Sequence, residues 1–172
     1  MRMLLAGNWK MNGLRGALAE IRAVDRALSD DPTSCDILIC PPATVIAEAA
    51  TAPAAGRVAI GGQDCHAQVS GAFTGDVSAE MLRDAGATAV ILGHSERRQY
   101  HGERNVDVAA KVVAAKRAGL HAIICIGESE AERDKGKTLT VVAKQLHESV
   151  PDDVAAEDIV IAYEPIWASG NG

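Results

Sequence analysis

The sequence predicts an α/β protein built on a parallel sheet with both faces covered. Six short apolar runs recur along the 172 residues, at 3–6, 37–40, 58–60, 89–92, 122–126 and 159–163. They are continuously apolar rather than alternating, as strands buried on both sides are. Helical spacings fill the intervals, and polar residues gather just after the runs. Repeated βα units with right-handed crossovers fit an open doubly wound sheet or a (β/α) barrel, and the pattern alone leaves both open.

Taken in order, the first run leads into Gly7-Asn8-Trp9-Lys10-Met11-Asn12. Leu14, Leu18, Ile21, Val24 and Leu28 then step by three or four residues, which predicts one apolar helical stripe. Residues 44–52 read as a short helix after the second run. After the third run comes a long polar, glycine-rich stretch, 63–77, that holds the chain's one Phe. A connection of that length in a compact domain is usually functional or an interface, and a partner contact is expected here. Ser78 reads as the N-cap of a helix over 78–85. The fourth run opens into Gly93-His94-Ser95-Glu96-Arg97-Arg98, where Ser95 is expected to cap a helix and place His94 beside its N-terminus. Val106, Ala109, Ala110 and Val113 predict the next stripe. Leu139, Val142, Leu146 and Val150 predict another, with Lys144, Gln145 and Glu148 on its outer side. The sixth run delivers Glu164 into a loop bearing Pro165 and Trp167.

Composition narrows the classes. The length suits one domain over 1–172, with no linker or composition shift, able to bury roughly 70% of the unfolded chain's surface. A formal charge of -6 speaks against nucleic acid, which needs a basic face. No apolar run approaches the ~20 residues of a membrane span, so no membrane contact is expected. Cys35, Cys40, Cys65 and Cys125 lack paired metal-ligand spacing and read as reduced thiols of a cytoplasmic protein. His66, His101, His121 and His147 share no ligand spacing either, and no metal is expected. Without a GxGxxG or P-loop pattern, a nucleotide cofactor is unsupported.

Asn8 and Lys10 follow the first run, Gln63 and Asp64 the third, His94 and Glu96 the fourth, Glu128 the fifth and Glu164 the sixth. In either parallel architecture these strand ends converge on one rim, where ligands bind. Each has a plainer reading: a surface lysine, a packing histidine, a surface acid. Together, one acid, one lysine and one histidine, with no nucleophile–base pair, point to proton abstraction next to a carbonyl.

Five stretches then carry a resemblance: 6–12, Gly71-Ala72-Phe73-Thr74-Gly75, 93–98, Cys125-Ile126-Gly127-Glu128 and 162–168. In order and spacing they resemble the triosephosphate isomerase family. The resemblance implies a (β/α)8 TIM barrel, present here as six βα-type strands and therefore incomplete. It implies cofactor-free interconversion of dihydroxyacetone phosphate and D-glyceraldehyde 3-phosphate through an enediolate, in glycolysis and gluconeogenesis. By the same resemblance, Glu164 is the base, His94 the neutral electrophile, Lys10 the fixed positive charge and Asn8 its polar neighbour. Glu96 lies close to the lysine, Ser95 begins the helix behind the histidine, and Gly170 belongs to the phosphate grip. Phe73, Thr74 and Gly75 are the tip of a loop, 63–77, that inserts into a second subunit, so a homodimer is implied. Ser169 and Asn171 depart from the family's lid pattern, and the chain is expected to stop within that lid. Little activity is expected of these residues alone. The alternative is a catalytically inert (βα)6 fragment, or an interaction protein derived from the family.

Overall fold

The computed structural model describes residues 3–168, so Ser169, Gly170 and Asn171 lie outside the described residues. Every apolar run becomes a strand: β1 (Leu4–Asn8), β2 (Asp36–Cys40), β3 (Val58–Gly62), β4 (Ala89–Leu92), β5 (His121–Ile126) and β6 (Ile159–Tyr163). They form one sheet in the order β1-β2-β3-β4-β5-β6, and every pairing is parallel. That order settles the choice left open above. A doubly wound sheet reverses its strand order at a switch point, whereas here each strand lies beside its sequence neighbours, as in a barrel wall. The six strands curl into an incomplete barrel.

Side-chain alternation explains why the runs are continuously apolar. Leu38, Cys40, Ala89, Ile91, Ile123 and Cys125 point to one face and pack together inside the curl. Their neighbours Ile39, Val90, Leu92, Ile124 and Ile126 point outward into a larger core beneath the helices. The edge strands are less covered than the four between them. Leu5, Val160 and Ile161 are exposed, because among the described residues nothing lies beyond β1 and β6.

Seven α-helices occur among the described residues: α1 (Leu18–Asp30), α2 (Ile46–Ala50), α3 (Ala79–Asp84), α4 (Ser95–Tyr100), α5 (Asn105–Ala118), α6 (Glu130–Asp134) and α7 (Thr138–Ser149). Ser78 caps α3 as predicted, accepting the Met81 N–H at 3.2 Å. Three stripes need correction. Ahead of α1 Leu14 is exposed, and on α1 Val24 is exposed while Asp25 is buried beside Leu18 and Ile21. Asp25 turns inward because its carboxylate accepts the Ala55 and Arg57 N–H groups, each at 2.7 Å. On α5 the buried face is Val108, Val112 and Ala115, and Val106 and Val113 are exposed. Valine and alanine lie all round this helix, so spacing does not reveal its phase. On α7, Leu139 and Leu146 are exposed, and Gln145 faces inward instead of outward. No helix among the described residues is long and apolar enough to cross a membrane.

Residues 63–77 contain no helix or strand beyond one bridge, His66 to Ser78, at the base of the loop. Residues 68–76 are all exposed, and the Phe73 ring rests on His66 with centroids 3.9 Å apart.

Candidate active site

β1 ends at Asn8, whose Oδ1 accepts the Lys10 N–H at 2.9 Å. The turn this makes is tight, with Lys10 at φ 52° in the left-handed region that non-glycine residues seldom enter. Gln63, at the end of β3, fixes the turn from the other side. Its Nε2 donates to the carbonyls of Lys10 (2.9 Å) and Cys40 (2.8 Å). The ammonium emerges beside Glu96, 2.9 Å from Oε1. That hydrogen bond holds the lysine above its usual range, so it stays charged.

β4 ends at Leu92, and Gly93 turns the chain sharply into α4 at φ 67°. The expected cap is displaced by one residue. His94, not Ser95, is the N-cap: its Nδ1 accepts the Glu96 N–H at 3.2 Å, and Ser95 is the buried first residue of α4. A ring nitrogen that accepts a hydrogen bond carries no proton, which leaves the ring proton on Nε2. Nε2 lies 3.2 Å from Oε2 of Glu164 at the end of β6. The hydrogen bond from His94 holds the Glu164 carboxyl below its usual range. Ends of three separated strands thus bring a fixed cation, an N–H donor and a carboxylate to one edge of the sheet.

Not every rim residue joins them. Asp64 is held by Lys111 at 2.7 Å and Arg97 at 2.9 Å, and Glu103 pairs with the same lysine. Glu128 is 1% exposed and turned toward the segment that follows β6. It accepts hydrogen bonds from Thr138 Oγ1, Tyr163 Oη and Trp167 Nε1, all near 3.1 Å. Burial works to raise its carboxyl, but its own backbone N–H and these donors outweigh burial and keep it low. Among the described residues clefts open elsewhere, two of them about 590 Å³ beside Arg98 and Glu148 and about 360 Å³ beside Cys35 and Arg57. Neither holds the lysine, histidine and carboxylate, so chemistry rather than volume marks the site.

Comparison with known proteins gives this arrangement a family. The sequence model of triosephosphate isomerase matches residues 3–172. The chain belongs to the triosephosphate isomerase family. The triosephosphate isomerase of Afipia carboxidovorans is 58% identical over 172 residues, which is 100% of this chain and 68% of that protein. That of Ruegeria sp. is 60% identical over 171 residues, again 68% of its length. The crystal structure of triosephosphate isomerase from Bartonella henselae superimposes with a TM-score of 0.92 at 48% identity. It covers 97% of this chain and 69% of its own, in keeping with an incomplete TIM barrel.

Sequence reasoning missed three supporting residues of this triosephosphate isomerase fold. By spacing Gln63 is one rim residue among several, Arg98 only the end of the stretch 93–98, and Gln145 an outward residue of its helix. Arg98 donates to the carbonyls of Gly93 (2.7 Å) and Cys125 (3.3 Å) and to Asn105 Oδ1 (2.6 Å). All three serve main-chain groups, and a residue's own spacing carries no signal of a distant carbonyl.

Proposed function

We propose that the chain carries the proton-transfer machinery for interconverting dihydroxyacetone phosphate and D-glyceraldehyde 3-phosphate. Glu164 takes the proton from the carbon beside the carbonyl. The C–H electron pair becomes the C=C bond of an enediolate, and the carbonyl oxygen takes up the negative charge. His94 Nε2–H and the Lys10 ammonium face that oxygen, as preorganised donors do where charge develops. His94 gives its Nε2 proton to that oxygen and takes the proton of the adjacent hydroxyl, so the histidine ends as it began. The oxygen of that hydroxyl becomes the new carbonyl as Glu164 returns its proton to the carbon that carried the first. Asn8 sets the Lys10 turn, Glu96 holds the ammonium and Ser95 starts the helix behind His94. Gly170 would contact the substrate phosphate. No cofactor enters this scheme.

The observation that carries the reading is the 3.2 Å approach of His94 Nε2 to Glu164, with Nδ1 already occupied by the Glu96 N–H. Donor and base therefore address the same small volume. Exposure of residues 68–76 supports a homodimer in which Phe73, Thr74 and Gly75 contact a second copy, in the cytoplasm where glycolysis runs.

A second reading, an inert association module, draws on the exposed apolar edges Leu5, Val160 and Ile161. One experiment separates them. Residues 1–172 are fused to the part of the Afipia carboxidovorans relative that lies beyond the aligned region, and triose phosphate interconversion is assayed. Turnover that disappears in His94→Ala supports the isomerase reading. A folded, inactive fusion sinks it.

A further inference from the structure

The end of β5 poses a problem that the sheet does not solve. In a parallel ladder, alternate residues bond to opposite neighbours. His121 donates to Thr88, at the foot of β4, so the odd residues of β5 face β4. The even ones face β6: Ile126 O accepts the Glu164 N–H at 2.8 Å, and Glu128 O accepts the Ile166 N–H at 3.0 Å. Gly127 lies between these bonds and faces the β4 side. But β4 has ended at Leu92, where the chain turns away to present His94. Delivering the histidine thus strips Gly127 of a strand partner, and main-chain groups left without one are costly.

Two side chains fill the gap. Arg98 Nη2 donates to the Cys125 carbonyl at 3.3 Å. Gln145, reaching in from α7, takes both groups of Gly127. Its Oε1 accepts the Gly127 N–H at 2.7 Å and its Nε2 donates to the Gly127 carbonyl at 3.1 Å. A carboxamide binding in this paired way reproduces the edge of a strand.

What Gly127 supports makes this more than sheet repair. A Cβ built on Gly127 would lie 2.1 Å from the carbonyl oxygen of Glu164 and 3.0 Å from Pro165 Cα. The Glu164 main chain therefore rests directly on Gly127, with no side chain between. We propose that Gln145 is a positioning residue for Glu164, acting as a substitute strand that holds Gly127 so that the carboxylate meets His94. This rests on the reading of Glu164 as the base, and it extends the site to α7 through Gln145.

The test needs no isomerase turnover. Gln145→Met keeps the side chain's length and removes both hydrogen bonds; Gln145→Glu keeps an acceptor for the Gly127 N–H. With carboxyl-¹³C glutamate, the Glu164 signal is identified by its loss in Glu164→Gln. It is expected to titrate at higher pH in Gln145→Met than in the wild type, because a carboxylate that drifts from His94 loses the bond that holds it low. Gln145→Glu is expected to fall between the two. A Gln145→Met chain with unchanged circular dichroism and unchanged Glu164 titration overturns the proposal. Should the variants not fold, the wild type decides. Its Gly127 amide is expected to exchange as slowly as the amides of β5, and rapid exchange overturns the proposal. The function is judged separately: if Glu164 shifts as expected and the fusion described above is inactive, the isomerase reading fails and the positioning role stands.

Discussion

Lys10 shows how much this chain invests in one ammonium. Among the described residues it alone combines a side chain with positive φ, at 52°. Such a conformation costs about 1–3 kcal/mol and persists only where its surroundings impose it. Asn8 below and Gln63 beside it supply that constraint. Glu164 is placed with similar care, which makes its length critical. Glu164→Asp withdraws the carboxylate by one methylene, and a misplacement of about 1 Å can cost about 10²-fold. In the active fusion, kcat is expected to fall by at least about that factor with KM nearly unchanged. A change confined to KM would show that Glu164 is not the base. Lys10, His94 and Glu164 were legible because each is a polar residue just past an apolar run. The cap exchange between Ser95 and His94 was not, because Nδ1 competes for the same backbone N–H and only the turn at Gly93 decides which side chain reaches it.

The segment after β6 is moored by Glu128. Tyr163 and Trp167 both donate to its carboxylate, and the Arg133 guanidinium lies 3.8 Å from the centre of the Trp167 ring. Glu128→Gln replaces a charged acceptor with a neutral carboxamide, which weakens the hydrogen bonds from all three side chains. The variant is expected to melt at lower temperature, with Trp167 emission shifted to the red as the indole leaves its partner. Unchanged emission would show that the indole is held by packing alone. Strands were far easier to read than helix faces. A run buried on both faces is apolar whatever its rotation, whereas the phase of α5 depends on which of many small apolar residues meet β4 and β5.

For the molecule as a whole, two consequences can be measured. The described residues present two exposed parallel edges, and open edges bearing apolar side chains promote association. Sedimentation of the isolated chain is expected to show dimers or larger species at micromolar concentration; a strictly monomeric chain would contradict this. The second consequence is acid sensitivity. Glu164, Glu128 and Glu132 are held below the ordinary glutamate value of 4.5, and Asp107 is drawn from 3.8 to about 2 by Arg104. Carboxyls depressed by folding stabilise the fold above their ordinary values, and that stability is lost as pH falls through the folded ones. Asp64, raised by burial, works in the opposite direction. The midpoint of thermal unfolding is therefore expected to hold steady above about pH 5 and to fall between 4.5 and 2. An increase over that interval would show that Asp64 dominates.

The six strands, their parallel class and the strand-end trio of Lys10, His94 and Glu164 follow from the order of residues alone. They depend on local apolarity and on the position of a polar group one to four residues past it. The choice of a barrel wall over a doubly wound sheet required the strand order. The parts played by Gln63, Arg98, Asp25 and Gln145 required the fold itself. Each is a polar side chain that satisfies main-chain groups 5 to 53 residues away, as Gln145 does for Gly127 and Gln63 for Lys10. Which main-chain groups are left unpaired is known only once the strands and turns have taken their places.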